Sequence, residues 1–196
     1  MSLTFRPCIL IPCYNHGAMM ANVLTRLAPF QLPIIVVDDG SDTSTRQTLD
    51  QLATDNAHVT LVRLTHNAGK GAAVIRGLKV CAGAGYTHAV QVDADGQHAI
   101  EDIPQLLALA ERHPQALISG QPVYDDSIPR SRRYGRWVTH VWVWIETLSL
   151  QLKDSMCGFR VYPVAPTLQV INSASLGKRM DFDTEVMVRL YWQGNT

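Results

Sequence analysis

Short runs of consecutive apolar residues alternate with longer segments in which apolar residues recur every three or four positions. The short runs are bounded by turn-forming residues, a pattern typical of strands buried on both faces. The predicted strands cover residues 7–12, 34–37, 59–64, 88–92 and 117–120. The chain therefore begins with a series of buried strands separated by other elements.

The segments between these strands have helical periodicity. We expect helices from Gly17 to about Leu27, from a cap at Thr43 or Ser44 to about Ala53, from Gly69-Lys70-Gly71 through Cys81, and from Ile100 to about Arg112. Alternating strands and helices predict an α/β fold, in which helices cover both faces of a mostly parallel sheet. We expect residues 1–196 to form a single domain and leave open whether a short C-terminal piece is missing.

Carboxylates follow two of the predicted strands directly. Asp38 and Asp39 come after the second strand, and Asp93 and Asp95 come after the fourth. Because ligands of parallel sheets bind beyond the carboxyl ends of the strands, these side chains are expected to meet at one edge. Two unit charges about 4 Å apart repel by about 4 kcal/mol at an effective dielectric constant of about 20.

A divalent cation with oxygen ligands, Mg²⁺ or Mn²⁺, would neutralise such an edge. The alternative is a turn in which the aspartates accept hydrogen bonds from backbone amides. Both interpretations remain open for either acidic segment taken alone.

Composition excludes several classes of protein. Apolar residues make up 46% of the chain and charged residues 17%, which fits a globular core. Lys plus Arg and Asp plus Glu balance at 17 each, so charge gives no indication of nucleic-acid binding. The N-terminus lacks a secretory signal pattern, and no apolar stretch approaches the roughly 20 residues that span a bilayer. The four cysteines, Cys8, Cys13, Cys81 and Cys157, lack zinc-site spacing and are predicted to be reduced thiols of a cytoplasmic protein.

Two common nucleotide-binding motifs are absent. Gly69-Lys70-Gly71 at a helix start suggests phosphate binding, but it lacks the glycine spacing and the Ser or Thr of a P-loop. The segment after the first strand, residues 12–17, lacks the Gly-x-Gly-x-x-Gly pattern of dinucleotide-binding proteins. A nicotinamide-dependent oxidoreductase is therefore disfavoured.

Six segments together resemble the family-two glycosyltransferases, especially the dolichyl-phosphate-mannose-synthase-like branch. They are, in the family's order, IPCYN (11–15), VDDGS (37–41), NAGKG (67–71), DADGQH (93–98), DSMCGFR (154–160) and FDTE (182–185). The resemblance implies a nucleotide-sugar-binding fold of the GT-A type. It also implies an inverting single displacement that depends on Mg²⁺ or Mn²⁺.

The resemblance also implies roles for individual residues. Pro12, Tyr14 and Asp38 would hold the nucleoside, and Arg160 would bind phosphate or the leaving group. The nucleotide-sugar site as a whole would comprise Pro12, Tyr14, Asn15, Asp38, Asp39, Gly69, Lys70, Asp93, Ala94 and Asp95. Asp93, Asp95 and Gln97 would be the metal ligands.

The expected donor is a UDP- or GDP-linked sugar, and the acceptor is a lipid-linked group or a glycan. A hydroxyl acceptor needs a general base, for which Asp154 and Glu185 are the candidates, whereas an ionised phosphate acceptor needs none. The alternatives are a loop cap or ion pair for Asp154 and a carboxylate that complements a helix dipole for Glu185.

A stripe of apolar residues at helical spacing runs through residues 138–152. Burial against the sheet is the simpler interpretation of this stripe. Trp137 and Trp144 fall outside it and would suit a membrane surface, with basic side chains just before them. The basic side chains are Arg130, Arg132, Arg133 and Arg136. We expect a polyprenyl-phosphate or other lipid-linked acceptor and peripheral binding to the inner face of the membrane.

Two other functions remain as alternatives. A sugar-phosphate nucleotidyltransferase also places carboxylates and metal at a sheet edge, but it begins with a Gly-rich basic loop that this chain lacks. A catalytically silent nucleotide-binding module would bind nucleotide without needing a metal.

Overall fold

The structure is a computed structural model of the 196-residue chain, and it describes residues 4–121, 157–174 and 176–194. The described strands are β1 (Pro7–Cys13), β2 (Ile34–Asp38), β3 (Val59–Arg63), β4 (His88–Gln91), β5 (Ile118–Ser119) and β6 (Arg160–Pro163). The described α-helices are α1 (Gly17–Leu27), α2 (Thr43–Asp55), α3 (Lys70–Gly83), α4 (Ile103–Arg112), α5 (Val164–Ser173) and α6 (Phe182–Trp192). Short 3₁₀ helices at Ala28–Phe30 and Ile100–Asp102 follow α1 and precede α4.

The described strands form one sheet in the order β3-β2-β1-β4-β6-β5. β1 pairs in parallel with β2 and β4, and β2 pairs in parallel with β3. β6 runs antiparallel to both of its neighbours, β4 and β5. The predicted α/β architecture with a mostly parallel sheet is confirmed, and β6 is the strand that interrupts the parallel arrangement.

Both faces of the sheet are buried under helices. Successive side chains of a strand point to opposite faces, so each strand contributes to both core layers. In β1, Cys8 and Leu10 pack into the core layer formed with α3, α5 and α6. Ile9 and Ile11 pack into the other layer, formed with α1, α2 and α4. The continuous apolar runs of the central strands follow directly from this double coverage.

Most predicted elements end within a residue or two of their observed bounds. One prediction was wrong in its chemistry: α2 is capped by Asp42, whose carboxylate accepts the Thr45 N–H at 2.8 Å, and not by Thr43 or Ser44. Both hydroxyl residues instead lie inside the first turn of the helix. The elements after residue 157, namely β6, α5 and α6, were not predicted as a strand and two helices.

The apolar stripe at 138–152, both tryptophans beside it and the preceding arginines lie outside the described residues. Within the described part of the chain, no helix combines the length and apolar character needed to cross a bilayer.

Helix α3 packs closely on β1 through a glycine. A Cβ atom on Gly77 would lie 2.2 Å from Cδ1 of the buried Leu10, whereas a Cβ on Gly83, in the same helix, would meet nothing within 4 Å. Gly77→Ala is expected to destabilise the fold by about 1–3 kcal/mol through overpacking. Gly83→Ala is the matched control and should stabilise it by up to about 1 kcal/mol. Urea unfolding of both variants measures the difference, and equal stability of the two would contradict the packing described here.

Candidate functional site

A cavity of about 380 Å³ lies at the carboxyl ends of β1, β2 and β4. It is lined by Pro12, Cys13, Tyr14, His16, Asp39, Asn67, Gly69, Lys70, Ala73, Asp93, Ala94, Asp95 and Met180. Strand ends and the start of α3 thus meet at one edge of the sheet, as the strand order requires. Most residues predicted for the nucleotide-sugar site lie here, but Asn15 and Asp38 do not line the cavity.

Asn15 joins the loops that follow β1 and β2. Its side-chain oxygen accepts the Asp42 N–H at 2.8 Å, and its own N–H donates to the Ser41 hydroxyl at 3.0 Å. The Asn15 backbone is left-handed, with φ of 57°, a conformation that Asn tolerates better than most residues. The residue therefore holds the rim of the cavity together.

Asp38 is a buried structural carboxylate. Its Oδ1 accepts the Ser41 N–H at 2.9 Å, and its Oδ2 accepts from Arg63 Nε at 3.0 Å. Burial alone would raise the pKa of Asp38, but the hydrogen bonds from Ser41 and Arg63 outweigh it and lower the pKa below its ordinary value. With no exposed surface, Asp38 cannot contact a nucleoside in this conformation, so the predicted direct role does not match its position.

Asp39 orders the segment that leads into α3. Its two oxygens accept the backbone N–H groups of Ala68 at 2.8 Å and Gly69 at 2.9 Å. Gly69 has φ of 101°, and a Cβ there would lie 2.4 Å from the Lys178 carbonyl oxygen. The carboxylate at the end of β2 and this glycine together fix the start of α3, and with it Lys70.

Lys70 lies between two carboxylates from different parts of the chain. Its Nζ is 2.9 Å from each oxygen of Asp93 and 3.4 Å from Oδ2 of Asp183. Burial alone would lower the pKa of Lys70, but the negative charges of Asp183 and Asp93 outweigh it and raise the pKa. The cavity therefore contains a partly buried ammonium group that stays protonated at neutral pH.

Asp93 has further side-chain neighbours. Gln91 Nε2 donates to Oδ1 at 3.4 Å, and His98 Nε2 lies 3.5 Å from Oδ2. His98 Nδ1 accepts the Asp93 backbone N–H at 3.2 Å, which assigns the proton of the neutral ring to Nε2, on the side of the carboxylate. Burial lowers the pKa of His98, so the neutral ring is the form expected at neutral pH.

Gly158 covers the ion pair from above. A Cβ atom at this position would lie 2.7 Å from Lys70 Nζ and 2.9 Å from Asp93 Oδ2. Any larger residue would therefore push against the pair. This contact gives a physical reason for the glycine in the CGFR segment, which sequence reasoning did not provide.

Asp95 is held by an Asx turn, because its Oδ1 accepts the Gln97 N–H at 3.0 Å. Among the described residues, no three His, Cys, Asp or Glu side chains are grouped so as to hold a metal ion by themselves. Mg²⁺ usually takes one or two carboxylates and completes its shell with water and substrate phosphate. Asp93 and Asp95, which both line the cavity, fit that kind of donor set. Gln97 is exposed and does not line the cavity.

Arg160 occupies a position different from the predicted one. Its side chain is fully buried in β6, where Nε donates to the Cys157 carbonyl at 2.6 Å and Nη1 donates to the Asp183 carbonyl. Buried guanidinium groups need such acceptors, because an unpaired buried charge is costly. Arg160 therefore supports the start of α6 and has no surface with which to bind a departing phosphate.

Of the two predicted bases, Glu185 is not among the residues that line the cavity. Glu185 accepts the Gly177 N–H at 2.8 Å and pairs with Arg189 at 2.8 Å, in the first turn of α6. Asp154 lies outside the described residues. Sequence reasoning missed Asp183, although it belongs to the FDTE segment that carried the resemblance.

The α/β fold, with its acidic cavity at the carboxyl edge of the sheet, is of the GT-A type, and solved structures similar to this chain share it. Staphylococcus aureus TarS, residues 1–349 in complex with UDP, matches 95% of this chain and 55% of its own chain at a TM-score of 0.62 and 18% identity. The mannosyltransferase PcManGT from Pyrobaculum calidifontis, in complex with GDP-Man and Mn²⁺, matches 98% of this chain and 54% of its own at 0.60 and 18%.

Sequence comparison identifies the family. The profile of glycosyl transferase family 2 matches residues 8–177, so the chain belongs to that family. Undecaprenyl-phosphate mannosyltransferase of Micrococcus luteus is 33% identical over 168 residues, covering 83% of this chain and 68% of the relative. Polyprenol monophosphomannose synthase of Mycolicibacterium smegmatis is 38% identical over 107 residues, covering 53% and 40%. The predicted resemblance to the dolichyl-phosphate-mannose-synthase-like branch is confirmed.

The charge of Asp38 should be measurable as a pH-dependent contribution to stability. Because the folded-state pKa lies below the ordinary value of 3.8, this stabilisation is complete above that pH and is lost as pH falls through the folded-state pKa. Asp38→Asn is expected to cost about 3–5 kcal/mol at pH 7, the range for breaking a buried pair, and less in acid.

Asp50→Asn is the matched control, because Asp50 also pairs with Arg63, at 2.9 Å, but its side chain is 58% exposed. It should cost no more than about 1 kcal/mol. Urea unfolding between pH 3 and pH 7 measures both variants. A loss for Asp38→Asn that does not vary with pH would contradict the assignment.

Proposed function

We propose that this protein transfers a sugar from a UDP- or GDP-linked donor to a polyprenyl phosphate, with inversion at the anomeric carbon. The observation that carries the proposal is the juxtaposition of Lys70, Asp93 and Asp95 at the edge of a GT-A sheet. Undecaprenyl-phosphate mannosyltransferase and polyprenol monophosphomannose synthase, named among the relatives, support the choice of acceptor. The chain spans 68% of the first and 40% of the second.

The nucleoside would bind near the end of β1. Tyr14 is 45% exposed, lines the cavity beside Pro12 and offers a flat aromatic surface for a base. Asp39 lines the same region, but its carboxylate oxygens already accept two backbone N–H groups. We therefore assign stacking on the base to Tyr14 and positioning of the loop to Asp39.

The diphosphate would lie beside Lys70, at the N-terminus of α3. The protonated ammonium and the positive end of the helix dipole both favour a dianionic group there. A divalent cation bound by Asp93 and Asp95 would supply further stabilisation of the negative charge that grows on the leaving diphosphate. Asp95 would be the carboxylate more accessible to the cation, since Asp93 already forms an ion pair with Lys70.

The acceptor would attack the sugar from the face opposite the diphosphate, which gives inversion. A phosphate acceptor is already ionised at neutral pH and needs no general base. This fits the position of Glu185, whose carboxylate is engaged by Gly177 and Arg189. A general base at position 185 is unnecessary for such an acceptor.

We also propose that the reaction takes place at the cytoplasmic face of a membrane. The support is the acceptor chemistry, together with the sequence of residues 130–144, in which arginines precede three tryptophans. Basic and aromatic side chains in this arrangement suit an anionic lipid surface.

Donor binding is tested by calorimetry of UDP and GDP with and without Mn²⁺. The metal should strengthen binding of the matching nucleotide, because the carboxylates would otherwise repel the diphosphate. Asp95→Asn should remove most of this enhancement and lower kcat/KM by roughly 100-fold or more, a typical loss when charge stabilisation is removed. Asp102→Asn, an exposed carboxylate away from the cavity, is the control. Nucleotide binding that ignores Mn²⁺ would favour a silent binding module instead.

Acceptor chemistry is tested with undecaprenyl phosphate and undecaprenol in vesicles that contain anionic lipid. Transfer is expected to the phosphate and not to the alcohol, because only the phosphate is ionised without a base. Equal transfer to both would refute the phosphate acceptor. Flotation of the same vesicles with wild-type protein and with Trp137→Ala measures surface binding, and wild-type protein that stays unbound would refute the membrane location.

A further inference from the structure

We propose that Lys70 blocks Asp93 until the donor diphosphate arrives, and that Asp183 is the positioning residue that keeps the displaced lysine in the cavity. This inference rests on the proposed function, since it concerns how the same site takes up metal and donor. It assigns a role to Asp183 and explains why one lysine faces two carboxylates.

Lys70 and a metal ion would compete for the carboxylate of Asp93. Lys70 Nζ lies 2.9 Å from both carboxylate oxygens, and Gly158 closes the space above the pair. Neither oxygen of Asp93 can then accept a cation without competing against the ammonium. Asp95, whose Oδ1 accepts only the Gln97 N–H at 3.0 Å among the bonds described, is left as a weak site by itself.

Asp183 offers the displaced ammonium of Lys70 another carboxylate. Asp183 Oδ2 is already 3.4 Å from Lys70 Nζ, so a small shift of the lysine exchanges one carboxylate for the other. Asp183 is held in place, because Tyr162 donates its hydroxyl hydrogen to Oδ1 at 3.3 Å and the residue lies in the first turn of α6. It is also nearly fully buried, which limits competition from water.

The donor diphosphate would hold Lys70 away from Asp93. Once released from Asp93, the Lys70 ammonium needs a second anionic partner, which a donor diphosphate would provide at the start of α3. Metal and nucleotide would then strengthen each other's binding, because each favours the same position of the lysine. The arrangement keeps the metal site weak until a nucleotide is present.

Titration of Mn²⁺ alone, followed by electron paramagnetic resonance, tests this competition without any transfer reaction. Lys70→Met removes the ammonium at nearly constant volume and should tighten nucleotide-free Mn²⁺ binding about tenfold, within the usual range of coupling between sites. Asp183→Asn removes the second carboxylate that pairs with Lys70, so the ammonium should stay on Asp93. Mn²⁺ binding should therefore weaken about fivefold. The two variants are thus expected to change the affinity in opposite directions.

Two further variants serve as controls. Lys70→Arg keeps the charge and should leave the nucleotide-free affinity within about twofold of wild type, on the same range of coupling. Asp181→Asn changes the carboxylate next to α6 that accepts the Arg179 N–H at 3.1 Å and should have no effect. Circular dichroism melting establishes that each variant is folded. If Lys70→Met does not fold, the direction of the Asp183→Asn change decides the question.

A repeat of the titration with saturating GDP or UDP measures the coupling. Wild-type protein should gain much more Mn²⁺ affinity from the nucleotide than Lys70→Met does. Unchanged or weaker nucleotide-free binding by folded Lys70→Met, or tighter binding by Asp183→Asn, would overturn the inference. If Lys70→Met tightens Mn²⁺ binding but no sugar transfer is found, the competition stands and the proposed function fails. If transfer occurs without that tightening, only the competition fails.

Discussion

The arrangement around Lys70 depends on one electrostatic constraint, which is that a partly buried ammonium must be matched by carboxylates. The lysine begins α3, one partner follows β4, and the other lies in α6, some 90 residues further along the chain. Each group alone would be costly to bury, and together they compensate one another. The ion pairs therefore connect the parallel half of the sheet to the C-terminal helices at the point where the cavity opens.

The two acidic strand ends have different roles although their sequences look alike. Asp38, the last residue of β2, and Asp39, directly after it, accept hydrogen bonds from nearby backbone N–H groups, and Asp38 also pairs with Arg63. Asp93 and Asp95, after β4, line the cavity, and Asp93 pairs with Lys70. The first pair builds the rim and the second pair supplies the charge. The hydrogen-bonded turn is thus realised at the end of β2, and metal binding after β4 stays a proposal.

The C-terminal segment provides support that only becomes visible in three dimensions. β6 pairs antiparallel with β4 and brings Tyr162 and Arg160 beneath the start of α6. Tyr162 contacts the Asp183 carboxylate, and Arg160 contacts the backbone of the same residue. Burial is the main cause that raises the pKa of Tyr162 well above its ordinary value, so its hydroxyl remains a hydrogen-bond donor. Tyr162 and Arg160 thus act on the site through Asp183, whereas Gly158 lies directly against Lys70 and Asp93.

The sequence by itself determined the alternation of strands and helices, the parallel core and the acidic edge, because apolar periodicity and strand-end position are local properties. It also determined the family, through short segments in a specific order. Tertiary structure alone decided which carboxylates accept hydrogen bonds from backbone amides and that Arg160 is buried. It also decided that Lys70 pairs with Asp183 as well as with Asp93. These depend on contacts between residues far apart in the chain, such as the 3.4 Å between Lys70 Nζ and Asp183 Oδ2, and no local pattern encodes such distances.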